Sequence, residues 1–134
     1  MSRDIDWSAL HAAALQAMER AHAPYSKFRV GAALLTMNGK IVAGCNVENA
    51  SYGLTICAER NAVFAAVAQG EKEFVALCLT TETDTPVTPC GACRQVLHEF
   101  PPSFEVRCYG TGPQTAHYTT AALLPHAFKK DDLG

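Results

Sequence analysis

The chain has 134 residues, 49% hydrophobic and 18% charged, with a formal net charge of −2, which suits a single domain with one core. The charge gives no basic field for following a nucleic-acid backbone, and no apolar run reaches the roughly 18 residues of a membrane-crossing helix. Arg3, Asp4 and Asp6 precede a helical pattern rather than the apolar core of an export signal. A cytoplasmic, reducing setting is therefore expected, in which cysteines serve more often as ligands or catalytic groups than as disulfides.

In chain order, Trp7, Leu10, Ala14, Met18 and Ala21 recur every three or four residues and predict an amphipathic helix ending before Pro24. Phe28 to Leu35 is apolar and β-favouring. Asn38-Gly39 then offers two positive-φ residues for a tight hairpin turn, and Ile41 to Val47 is the return strand. Ile56 to Gln69, alanine-rich and apolar nearly all round, predicts a buried helix closed by Gly70. Its Ala62, Ala65 and Ala66 permit close helix packing, more than one small domain needs for its own core. Phe74 to Thr80 is a near-continuous apolar run, the mark of a central strand covered on both faces. Cys90 to Phe100 is a short helix stopped by Pro101-Pro102, Phe104 to Tyr109 alternates as a strand, and a last strand is expected around His117 to Thr120. The strand–helix–strand–helix–strand succession implies parallel strands with right-handed crossovers. The expected class is α/β, a three-layer α/β/α sandwich around a mixed five-stranded sheet, with one domain over residues 1–134.

Three of the six cysteines stand at helix starts: Cys57 at one, Cys90 and Cys93 at the next. Ligands at i and i+3 share a helix side, so Cys90 and Cys93 can grip one ion while Cys57 approaches from the neighbouring helix. Three thiolates leave a tetrahedral Zn²⁺ one open position, the catalytic pattern, for a water whose pKa the metal lowers towards neutrality. Glu59, two residues from a ligand, can take that water's proton. Three thiolates also leave the site a net negative charge. Two helix N-termini, each worth about half a positive charge, and Arg60 oppose it, with Arg94 as a second cation nearby.

Other arrangements use the same residues. Cys-x-x-Cys at a helix start is also a thioredoxin-type redox motif, though it accounts for neither Cys57 nor Glu59. A closed structural zinc would recruit Cys45, Cys78 or Cys108, each inside a predicted strand, where a thiol is more often packing. His11, His22, His98, His117 and His126 lie outside the constellation and read as surface or structural.

Cys-Ala-Glu with Pro-Cys-x-x-Cys resembles the zinc nucleobase-deaminase signature, in which the glutamate is not a ligand. "PYSKFRVGAAL", "NVENASYGLTICAERNAV", "TPCGACRQVL" and "LLPHAF…DDL" are similar to the small, homotetrameric cytidine deaminases over nearly the whole chain. The resemblance implies Cys57, Cys90 and Cys93 as zinc ligands, Glu59 as proton shuttle and Arg60 as thiolate neutraliser. Asn46 and Glu48, two apart on a strand and so on one side, resemble the pair that binds the ribose 3′-OH, and Phe28 the aromatic packing on the pyrimidine. The Ala58 N–H and the Thr88 carbonyl would hold the base oxygen and the amino group. Ala50, Tyr52 and Phe128 resemble residues that reach into a neighbouring subunit's site. His126 and Lys129-Lys130 depart from the small or polar residues usual in the tail.

The implied activity is zinc-dependent hydrolysis of cytidine and 2′-deoxycytidine to uridine and 2′-deoxyuridine, with release of ammonia, in pyrimidine salvage. A blasticidin-type deaminase and a non-catalytic zinc module are the alternatives; Phe28 with Asn46 and Glu48 favours a ribonucleoside, and Glu59 favours catalysis. A polynucleotide substrate conflicts with the acidic charge and with a contact at the 3′-OH.

Overall fold

The structure, a computed structural model, describes residues 4–133, so Arg3 of the N-terminal charge pattern lies outside it. Asp6 opens the first helix, α1 (Trp7–Met18), by accepting a hydrogen bond from the Ala9 N–H on its side chain. Strands β1 (Val30–Thr36) and β2 (Ile41–Cys45) follow, then a 3-10 turn at Tyr52–Leu54, helix α2 (Ala58–Ala68) and strand β3 (Phe74–Thr81). Helix α3 (Gly91–His98), strands β4 (Glu105–Tyr109) and β5 (Thr115–Thr119), the single-turn α4 (Thr120–Leu123) and a 3-10 turn at Lys130–Leu133 complete the order.

The sheet runs β2-β1-β3-β4-β5. β1 is antiparallel to both β2 and β3, β3 is parallel to β4, and β5 returns antiparallel to β4. β2, β3 and β4 therefore point the same way, as the helical connections demand, with β1 inserted between the first two. β3 is central and buried along almost its whole length, in keeping with its unbroken apolar run.

Alternation along β1 sends Ala32 and Leu34 to one face and Ala33 to the other. Ala33, Ala76 and Cys78 meet Leu10 and Ala14 of α1. Ala32, Leu34, Leu77, Leu79 and Val106 meet α2, α3 and α4 through Ala62, Val63, Ala66, Leu97 and Leu123. The three layers expected from the sequence are thus present. Ala62 and Ala66 are fully buried against this chain's own sheet. They are consumed by the core and are not spare surface for another helix, which corrects the expectation placed on them.

The hairpin also differs. Only Gly39 has positive φ (87°), not Asn38, because the connection spans four residues: Gly39 N–H donates to the Thr36 carbonyl and Thr36 N–H to that of Lys40. This is a type I turn followed by a left-handed glycine. β1 begins at Val30 rather than Phe28, and β2 ends at Cys45 rather than Val47. The Asn46 side chain replaces the ladder there, and Lys27 has positive φ (62°). α2 starts at Ala58 because Ile56 pairs with Val47 in an isolated bridge.

Candidate active site

Cys57 and Cys90 are the N-cap residues of α2 and α3. Each has an extended backbone and neither side chain caps its own helix. Their carbonyls accept the first helical hydrogen bonds, from Asn61 and Arg94 N–H at 3.1 and 3.0 Å, which leaves both thiols free to face outward. Cys93 sits in the first turn of α3 and is buried. The Cys57 and Cys90 sulfurs are 3.8 Å apart, those of Cys90 and Cys93 3.4 Å, and all three lie within 4.8 Å of one another. Sulfurs at about 2.3 Å from a tetrahedral zinc stand roughly 3.8 Å apart, so the donor set and its spacing fit zinc with one position open. Asn61 anchors α2 to the sheet by donating from Nδ2 to the Cys45 carbonyl at 2.8 Å.

Cys78 and Cys108 are packed in the two faces of the core. Burial pushes both thiols up to about 12, and Cys45 moves up for the same reason. Such thiols resist forming the thiolate a metal needs. Cys57 moves the opposite way, to about 5, through the hydrogen bond from Cys93 first and then those from Arg60 and Cys90. Arg60, three residues on, donates to the Cys57 sulfur at 3.5 Å, the position expected of a thiolate neutraliser. Its Nε is buried without a hydrogen-bond partner among the described residues.

Glu59 is only 4% exposed. Burial is the main cause that raises its carboxyl to about 7, with the Cys57 charge adding to it. A group that gains and loses a proton near neutrality is suited to shuttling one. Arg94 does not face the sulfurs, contrary to expectation. Its Nε donates to the Pro89 carbonyl (2.7 Å), one terminal nitrogen to the Leu123 carbonyl (3.1 Å) and the other to Thr88 Oγ1 (2.9 Å).

Asn46 is buried, accepts from Val30 N–H on Oδ1 and donates from Nδ2 to the Phe28 carbonyl, both at 2.8 Å. It therefore fixes the segment that carries the half-exposed Phe28. Glu48 is held by the N–H groups of Tyr25 (3.0 Å) and Ser26 (3.1 Å) and by the Ser26 hydroxyl, and these bonds, the hydroxyl's first, keep its carboxyl below the usual range. Sequence reasoning assigns no role to Tyr25 or Ser26, although both stand in the PYSKF stretch. Tyr25, Ser26, Glu48, Tyr52 and Thr55 line a pocket of about 390 Å³, with the Tyr25 and Tyr52 rings edge-on at 6.1 Å. Ala58 is the first residue of α2, so its N–H is among those a helix leaves without an internal partner. Thr88 lies outside helix and strand, in the approach to Cys90. Ala50 and Tyr52 are exposed on the 46–56 loop, Tyr52 at 76%. Phe128, 58% exposed, lies near His98, Glu99 and Pro101, at the opposite end of α3 from Cys90.

The family model for the cytidine and deoxycytidylate deaminase zinc-binding region matches residues 5–106. The chain belongs to that family. It is 48% identical to the cytidine deaminase of Sporosarcina psychrophila, with 96% of each chain covered. The crystal structure of cytidine deaminase from Burkholderia pseudomallei is similar with a TM-score of 0.89, at 50% identity over 92% of this chain and 100% of that one. That of Mycobacterium tuberculosis gives a TM-score of 0.80 at 43% identity, covering 93% and 98%. These likenesses bear out the α/β sandwich, and the family makes Zn²⁺ the metal that the Cys57, Cys90 and Cys93 set is suited to hold. No helix among the described residues is long and apolar enough to cross a membrane.

Proposed function

We propose that this chain hydrolyses cytidine and 2′-deoxycytidine to uridine and 2′-deoxyuridine with release of ammonia. The observation that carries it is a buried glutamate beside a cluster of three cysteine sulfurs, in a chain of the cytidine deaminase family; three sulfurs would leave a tetrahedral zinc one position for water. Bound zinc supplies Lewis acidity that brings a water's pKa to about 7. Glu59 takes the proton from the attacking water, delivers it to N3 of the pyrimidine, and then serves the departing amino group. Burial near neutrality suits both transfers. Arg60 offsets thiolate charge. The Ala58 N–H donates to the base oxygen, and the Thr88 carbonyl accepts from the amino group. Phe28 packs on the ring, while Asn46 and Glu48 meet the ribose 3′-OH. The Asn46 amide has a second N–H to offer beyond the one bonded to Phe28.

The working unit is a homotetramer in the cytoplasm, serving pyrimidine salvage, with residues 1–134 as one domain and Ala50, Tyr52 and Phe128 supplied to neighbouring sites. Four exposed apolar side chains, Tyr52, Leu54, Phe64 and Phe128, support subunit contacts. So does an apolar groove of about 600 Å³ between α2 and α3, lined by Val63, Phe64, Val67, Val96 and Phe100.

Ammonia and uridine released from cytidine by the zinc-loaded protein test the activity. Turnover of blasticidin or of deoxycytidylate with cytidine untouched would refute the substrate, and no turnover of any of them would reduce the chain to a zinc module.

A further inference from the structure

Arg94 follows the Cys93 ligand directly, yet all three of its nitrogens are used away from the sulfurs. Two of the bonds hold the stretch in front of Cys90: the Pro89 carbonyl at 2.7 Å and the Thr88 hydroxyl at 2.9 Å. That stretch belongs to no helix or strand, so its path depends on such side-chain bonds. Pro89 is itself fully buried. The third bond, to Leu123 at 3.1 Å, grips the last residue of α4. Next along α3, Gln95 donates from Nε2 to the Phe128 carbonyl at 2.8 Å. Two successive side chains of the metal-bearing helix thus fix the approach to one ligand and the course of the C-terminal tail.

We propose that Arg94 is a positioning residue for the reaction: it sets the Thr88 carbonyl and the Cys90 thiol in register with Cys93. The Thr88 half rests on the assignment of that carbonyl to the substrate's amino group. A planar guanidinium serves three oxygens in fixed directions at once. A lysine ammonium reaches one of them from the same stem. As the amino group gains its proton and departs, its hydrogen bond to a carbonyl becomes charge-assisted and strengthens. An interaction that strengthens towards the transition state acts on kcat more than on KM. A displaced Thr88 should therefore lower kcat while KM moves little. A displaced Cys90 should alter the ligand field whether or not substrate is present.

The test uses metal-loaded Arg94→Ala and Arg94→Lys. Expected for Arg94→Ala are one metal per chain, shifted thiolate–cobalt absorption bands in the Co²⁺-substituted protein, and kcat lower by ~10²-fold, the cost of a displacement of about 1 Å. Ethylguanidinium, entering the vacated and partly exposed position, should restore part of kcat. Parental kcat and parental cobalt bands would overturn the proposal. Activity lost only in step with metal, with unshifted bands and no response to ethylguanidinium, would overturn it as well, leaving Arg94 a scaffold residue. Shifted bands with parental kcat would refute the Thr88 assignment while upholding the hold on Cys90. If Arg94→Ala does not fold, Arg94→Lys decides by the same readings: parental kcat and bands overturn, lowered kcat with metal retained supports.

Discussion

Gly44→Ala puts a single methyl between β2 and the helix that carries half of the site. Gly44 pairs with Ala32, which faces α2. A Cβ on Gly44 would stand 2.5 Å from Ala62 N, 2.7 Å from the Ala58 carbonyl oxygen and 3.0 Å from Ala62 Cα. All three are backbone atoms, so no side chain can swing aside. Restoring ordinary contact at 3.4 Å or more moves the helix by about 1 Å at its N-terminal turn, where Cys57, Glu59 and Arg60 sit. Overpacking of this kind costs about 2 kcal/mol, or ~5–10 °C in Tm for a chain of this size. A displacement of about 1 Å at the reacting centre costs ~10²-fold in turnover. The assay is calorimetric Tm, metal content and kcat per bound metal, with Gly31→Ala as comparison. Its Cβ would collide with the Ala14 carbonyl and stand 2.8 Å from Met18 N, on α1 across the sheet, so it should lower Tm without changing turnover per metal. Gly44→Ala with parental Tm, or with parental turnover per metal, refutes the account.

Glu59→Ala should fold and hold one zinc, since the sulfurs are untouched, and lose ~10²–10⁴ in kcat; substantial ammonia release by the mutant would remove Glu59 from its role. Arg60→Gln should bind zinc less tightly in a chelator competition and turn over more slowly, with KM changed less; parental values for all three would make Arg60 structural only. Asn46→Asp puts a carboxylate in place of a buried amide and removes the donor to the Phe28 carbonyl, at about 1–3 kcal/mol, so both a lower Tm and a higher KM are expected, and an unchanged Tm contradicts the clamp. Sedimentation should give four times the 14.4 kDa chain mass, and Phe128→Ala should raise KM for cytidine; a fully active monomer would refute shared sites.

Helix and strand identity was legible because periodicity reports burial, and burial is what the layers impose. The misplaced start of β1 and end of β2 have one cause in common. At Phe28–Val30 and Asn46 a side chain takes over from the backbone ladder, and hydrophobic pattern does not record where a ladder is replaced. The alanines of α2 fail differently. Small residues announce close approach without naming the partner, and for Ala62 the partner is Gly44 of the chain's own β2. A glycine in the middle of a predicted strand was the available clue.

The proposed ligand set was legible for a chemical reason, and its supports were hidden for another. Metal and proton chemistry accepts few residue types, so Cys57, Glu59, Cys90 and Cys93 are visible wherever their spacing is right. The groups that orient them bond mostly to main-chain oxygens: Asn61 to Cys45, Asn46 to Phe28, Gln95 to Phe128, Arg94 to Pro89 and Leu123. Every residue type supplies such an oxygen, so nothing in the identity of Leu123 marks it as the acceptor for a side chain 29 positions away. Arg60 and Arg94 illustrate the difference. Both stand at helical spacing from a cysteine, three residues from Cys57 and four from Cys90, and both read as cations for the thiolates. Arg60 meets its sulfur because a local turn brings it there, whereas two oxygens of the stretch before Cys90 and one that the tertiary fold brings from Leu123 take Arg94 elsewhere. Motif-level chemistry is thus a local property of the chain, and the precision with which it is held is a property of the fold.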